Sequence, residues 1–110
     1  MFYSCKIYFM VQRPSERLKR KIEKENLWLF ILSTLQKKRR YGNELRELMK
    51  NNFGFLIGLM TSYKVLYLLE TGGYVISKKE GKNVYYEITK KGINELKDGK
   101  RFLKEYSEMI

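Results

Sequence analysis

From Ser15 to Thr71-Gly72-Gly73 the apolar residues of this chain recur mostly at the three-and-four spacing of helices; from Tyr74 to Ile88 the pattern changes to β-prone runs. The runs YVISKK at 74–79 and NVYYEI at 83–88 are rich in Val, Ile and Tyr. They are separated by Glu80-Gly81-Lys82, which predicts a β-hairpin with a glycine-containing loop. Two strands alone are marginal in water, so this hairpin has to lean on helices. Any fold for the chain therefore places helices first, one hairpin after them, and then a last helix beginning at Thr89.

Pro14 interrupts the chain and Ser15 is a preferred N-cap, so a first helix is expected over 15–36. Its early part is charged, with Leu18 and Ile22 on one stripe. The run LWLFIL at 27–32 is apolar all round and asks for cover on more than one side. The block Lys37, Lys38, Arg39, Arg40 follows, either a cationic cap on the helix dipole or a phosphate contact. Tyr41-Gly42-Asn43-Glu44-Leu45 opens a short helix with Leu45, Leu48 and Met49 inward, and 53–58 is read as a loop packed on the core. Thr61 or Ser62 is expected to cap a third helix, closed by Thr71-Gly72-Gly73. On it Val65, Leu66 and Leu69 face the core, and Lys64, Tyr67 and Leu68 face away. The last helix should run about 19 residues, roughly 28 Å, with Ile93, Leu96, Leu103, Tyr106 and Ile110 near one face and Phe102 beside it. Residues 1–12 alternate poorly and are compatible with a short strand, a helical arm or an extension upstream of a start at Met10.

Charge narrows the function. The 110 residues carry a net charge of +11, which points to a polyanionic partner. Hydrophobic residues at 44% and aromatics at 15% exclude a disordered basic tail. Histidine is absent and Cys5 is the single cysteine, which removes the commonest general base, a His/Cys zinc cluster and an internal disulfide. No carboxylate pair lies in an apolar setting, Asp98 is the only aspartate, and GFLIG lacks the Lys-Ser/Thr of a P-loop. The expectation is a protein that is not an enzyme and uses no cofactor. LWLFIL, the longest apolar run, has six residues, far short of the ~18 that cross a bilayer. The N-terminus has no basic n-region and no small-residue cleavage site, so a cytoplasmic location is expected.

Three helices followed by a hairpin, on a basic chain, is the order of a winged helix-turn-helix. In that fold the third helix enters the major groove and the hairpin lies along the backbone or minor groove. The fold class expected is thus α+β, mainly α: three helices, a two-stranded β wing and a C-terminal helix. Recognition helices touch base edges chiefly through their N-terminal residues, which nominates Thr61, Ser62, Lys64 and Tyr67, with Lys78, Lys79 and Lys82 on the wing.

The residues Tyr63-x-x-Leu66-x-x-Leu69-Glu70-x-x-Gly73-Tyr74-Val75 are preceded by Tyr41-Gly42-x-Glu44-Leu45 and followed by Tyr85-Tyr86-x-Ile88-Thr89-x-x-Gly92. In this order and spacing they resemble the PadR-like winged-helix transcriptional regulators, over about residues 27–96. The resemblance implies a homodimeric DNA-binding repressor on a pseudo-palindromic operator, with Tyr63 touching the phosphate backbone and the wing contacting DNA. Arg39 and Arg40 join the expected DNA set. It also implies a dimer made by the last helix with the N-terminal one, through Leu18, Ile22, Trp28, Ile93, Leu96, Leu103, Tyr106 and Ile110. The division expected is an extension over 1–14, a winged-helix domain over 15–89 and a dimerisation helix over 90–110. Met60-Thr61-Ser62 stands where the family usually has Gly-Thr-Leu, and Tyr67 and Leu68 where basic residues are frequent. An effector pocket would form between subunits, with Trp28 a candidate to line it. A non-specific architectural or RNA-binding protein and a protein-interaction module are the competing readings.

Overall fold

The structure is a computed structural model that describes residues 13–110; apart from Arg13 and Pro14, the expected extension over 1–14, Cys5 included, lies outside the described residues. Five helices and one sheet occur among the described residues: α1 (Pro14–Glu25), α2 (Leu27–Leu35), β1 (Arg40–Tyr41), α3 (Gly42–Phe53), α4 (Leu59–Thr71), β2 (Val75–Glu80), β3 (Asn83–Ile88) and α5 (Lys90–Met109). None of these helices is long and apolar enough to cross a membrane.

The single helix expected over 15–36 is two helices, broken at Asn26, whose φ of −129° and ψ of 39° leave the helical region. Asparagine side chains compete for backbone hydrogen bonds and favour such junctions. The break separates a charged helix with no buried residue from an apolar one that buries Leu27, Ile31, Leu32, Thr34 and Leu35. The helix starts at Pro14 rather than at a serine cap, with proline at the first position, where its missing N–H costs nothing.

The sheet has three strands in the order β1-β3-β2, all antiparallel, not the two expected. Arg40 pairs with Tyr86 and Tyr41 with Tyr85, so the short β1 closes the open side of the hairpin. The hairpin registers Val75 with Ile88 and Glu80 with Asn83 around a two-residue loop, Gly81-Lys82, with Gly81 at φ 62°. Glycine at the first loop position with positive φ suits the twist of the flanking strands.

The core is one cluster that includes Leu27, Ile31, Leu32, Leu35, Leu45, Met49, Leu66, Val75 and Leu96. Phe30 meets Phe53 and Phe55 edge-on at 5.0 and 5.2 Å, and Arg46 Nε donates to the Ile57 carbonyl at 3.2 Å, which pins the 54–58 loop. The end of α4 is a Schellman turn: Tyr74 N–H reaches the Leu69 carbonyl at 2.9 Å while Gly73 takes φ 82°. Lys91 Nζ donates to the Gly72 carbonyl there at 2.7 Å. Thr89 caps α5 by accepting from Gly92 N–H at 3.1 Å.

Two expectations about the interface residues change. LWLFIL is covered largely within the chain, since Leu27, Ile31 and Leu32 are buried, Phe30 meets the two phenylalanines and Trp28 and Leu29 lie against Gly99 of α5. Leu96 is a core residue at 2% exposure, not a surface for a partner. Its helix enters the core with Gly92 and Leu96, and then every residue from 100 to 110 is exposed. Along that emergent half Phe102, Leu103, Tyr106, Met109 and Ile110 lie bare.

Candidate nucleic-acid interface

The surface that can meet a polyanion is built on α4. Its N-cap is Gly58, one turn before the serine and threonine expected to cap it. Ser62 is instead buried at 1% exposure and its hydroxyl donates to the Leu59 carbonyl at 2.8 Å. It sits one helical turn before Leu66 and two before Leu69, on the same inward face, so it is withdrawn from the set of surface readers. Thr61 and Lys64 are exposed, as are Met60 at 79% and Tyr67 at 67%. At about 100° per residue Met60, Lys64, Tyr67 and Thr71 fall within about 60° of one another, opposite the buried Ser62, Leu66 and Leu69.

The two flanks of this stripe differ. On one, the ring of Tyr63 lies over Gly42 at the start of α3: a Cβ at Gly42 would sit 3.4 Å from Tyr63 Cε1 and 3.5 Å from its hydroxyl oxygen. The phenol is thus held beside the first turn of a helix, where backbone N–H groups lack intrahelical partners. Glu70 on the same flank accepts from the Ser77 hydroxyl on β2 at 2.6 Å. On the other flank Leu68 joins Trp28, Val65 and Tyr74 around a largely apolar pocket of about 320 Å³.

Beyond Ser77 the wing carries Lys78, Lys79 and Lys82, all exposed and clustered at the hairpin tip. Between them Glu80 receives both terminal nitrogens of Arg39, Nη2 at 2.9 Å from Oε1 and Nη1 on Oε2. The Arg39 guanidinium also stacks on Tyr85 with its carbon 4.3 Å from the ring centroid. The pairing holds the Glu80 carboxyl below its ordinary range, chiefly through the hydrogen bond from Arg39, and raises Arg39 for the same reason. Arg40 points the other way: its side chain is 16% exposed and Nη1 stands 3.4 Å from Glu44.

The basic block at 37–40 is therefore divided. Lys37 and Lys38 are exposed, Arg39 is committed to the wing, and Arg40, on β1, is turned toward Glu44 of α3. Sequence reasoning missed three residues of the site. Glu80 is the one acid among the lysines of the hairpin tip, which is the signal that could have found it. Glu70 and Ser77 could not be paired without the tertiary structure. Tyr86 lies between them and Tyr63, its phenol pushed above its usual value by burial first, then by the charges of Glu70 and Tyr63.

No family model matches the chain, and no curated protein matches it by sequence. Solved structures do. A transcriptional regulator from Clostridium thermocellum superposes with a TM-score of 0.75 at 23% identity, over 81% of this chain and 93% of that one. A PadR family transcriptional regulator from Eggerthella lenta gives 0.72 at 24% identity, over 98% and 91%. A PadR-like transcriptional regulator from Bacillus cereus gives 0.68 at 25% identity, over 81% and 91%. Fold, element order and the three spaced motifs agree in their likeness: the chain has the winged-helix fold of these PadR-like regulators and is similar to them.

Proposed function

We propose that this protein is a sequence-specific DNA-binding transcriptional regulator, a repressor that acts as a homodimer on a pseudo-palindromic operator. One observation carries the reading: the outward stripe of α4 is flanked on one side by a tyrosine held at a helix N-terminus and by a wing tipped with three lysines, on a chain of net charge +11. Similarity to solved transcriptional regulators supports it. Thr61, Lys64 and Tyr67 face the major groove. Tyr63, Lys78, Lys79 and Lys82 hold the phosphates, and Arg39 lies next to them.

The second copy covers the bare half of α5. A stripe of Phe102, Leu103, Tyr106, Met109 and Ile110 at helical spacing, together with Leu18 of α1 exposed at 62%, is a surface a stable monomer would avoid. Ile22, Ile93 and Trp28 are partly buried. Two recognition helices about 34 Å apart would then enter successive major grooves. A small planar effector bound beside Trp28 would act on Leu68 and so on α4.

The test is fluorescence anisotropy with the DNA upstream of the gene and with a random duplex of equal length, across a salt series. Preference for the upstream duplex that persists at physiological salt is the expected result. Equal binding that fades with salt would instead favour an architectural protein, whose affinity is phosphate contact alone. Light scattering on the wild type and on a Leu103→Glu, Tyr106→Glu variant tests the dimer; a wild type that is monomeric at micromolar concentration would sink it.

A further inference from the structure

The chemistry available on α4 restricts which bases it can read. The helix, LMTSYKVLYLLET, contains no Arg, Asn or Gln. Those, together with lysine, are the side chains that pair with guanine or adenine in the major groove, and Lys64 is the one such residue here. Its single cation is Lys64, and its single acid, Glu70, is occupied by Ser77 on the wing. Thr71 is on the outward stripe, but its hydroxyl donates to the Tyr67 carbonyl at 2.8 Å. What the first turns offer is Met60, 79% exposed, and beside it the exposed Thr61, whose side chain includes a methyl group.

An isolated exposed methionine would need no explanation. Here it occupies the first turn of the helix, in line with Lys64 and Tyr67, where base-edge contacts are made. Thioethers are polarisable and adapt to irregular apolar surfaces. The only apolar group that a base pair presents in the major groove is the C5-methyl of thymine. No cation falls within this apolar patch: Lys64 stands one turn along α4 and the wing lysines lie on the hairpin, so the first turn is left to meet base edges through apolar atoms.

We infer that the protein reads thymine methyl groups, through Met60 and Thr61, and that its preferred duplexes are A·T-rich at the positions under the first turn of α4. The inference rests on the DNA-binding reading above and adds the class of base that is read.

The experiment selects from a random double-stranded library with the full chain, then measures the enriched duplex by anisotropy with each thymidine replaced in turn by deoxyuridine, which removes only the methyl. The expected result is enrichment of A·T pairs and a loss of about fourfold at one or more positions in each half-site, the worth of one buried methyl-sized group. The double variant Met60→Ala, Thr61→Ser should bind thymine and uracil duplexes alike, with an unchanged circular-dichroism spectrum because both side chains are exposed. Lys64→Ala should weaken both duplexes equally and keep the preference. Enrichment of G·C pairs, indifference to deoxyuridine, or a preference that survives in the double variant would overturn the inference while leaving DNA binding intact. Failure to enrich any sequence would overturn the operator reading and this inference with it.

Discussion

The hydroxyl of Ser77 donates to Glu70 Oε2 at 2.6 Å, and through that bond the last turn of α4 is tied to the first half of the wing. The two elements offered to nucleic acid thus hold a set angle through one side-chain pair as well as through the buried Leu69 and Val75. Ser77→Ala should cost about 1 kcal/mol, at the ordinary net value of a hydrogen bond that is partly open to solvent. Urea unfolding followed by circular dichroism checks this, and an unchanged midpoint would show that the bond contributes nothing.

Two glycines of α5 should respond differently to alanine. A Cβ at Gly92 would land on the Tyr74 carbonyl oxygen and 2.8 Å from Ile88 Cγ1, both parts of the wing base that cannot yield. Gly92→Ala should therefore cost about 3 kcal/mol as an overpacking change. At Gly99 the Cβ would lie 2.8 Å from Trp28 Cη2 and 2.9 Å from Leu29 Cδ1, which are side-chain ends. Those can shift, and alanine gains about 1 kcal/mol over glycine in a helix. Gly99→Ala should be close to neutral in thermal unfolding yet move the Trp28 emission maximum; equal destabilisation by both changes would refute the distinction.

Tyr86 sets an alkaline limit on stability. Its phenol is raised by burial, with Glu70 and Tyr63 adding to the effect. A group whose folded value lies above its unfolded one leaves stability intact below the unfolded value and withdraws it as pH rises through the folded one. The window therefore opens at about pH 10, the unperturbed value for tyrosine. Urea midpoints of the wild type should fall above that pH more steeply than those of Tyr86→Phe, and parallel curves would rule the effect out.

Arg39 is a phosphate-competent guanidinium already engaged by a carboxylate. With both groups exposed, the pair contributes little to folding, and what it gives is lost as pH falls through the lowered range of Glu80. On the DNA-binding reading, Glu80→Gln releases Arg39 to a phosphate. Affinity should rise, and the slope of log K against log salt should steepen by about one contact. A slope equal to wild type would mean that Arg39 stays on Tyr85 and away from DNA.

Much of this architecture was legible in local patterns. The hairpin follows from two runs rich in Val, Ile and Tyr around a glycine, the Schellman end of α4 from Gly72-Gly73, and the start of α5 from Thr89, because each depends on residues within a few positions of one another. The inward position of Ser62 was also legible, since it repeats at helical spacing with Leu66 and Leu69; its polarity concealed it. The break at Asn26 was harder to see, because Ser15 and the stripe of Leu18 and Ile22 read as one helix continuing into LWLFIL.

By itself the sequence determined the order of helices and strands, the positive charge and the apolar stripe left over on the last helix, for these depend on spacing and composition. Only the tertiary structure decided which charges are available. Arg39 and Glu80 meet across 41 residues, Glu70 meets Ser77 across the turn from α4 to β2, and Arg40 meets Glu44 where β1 runs into α3, so that a four-residue basic block became two exposed lysines, a wing clamp and a half-buried strut. The same holds for β1 itself. Two residues have no strand signal of their own, and they pair only because folding leaves the outer edge of β3 open beside them.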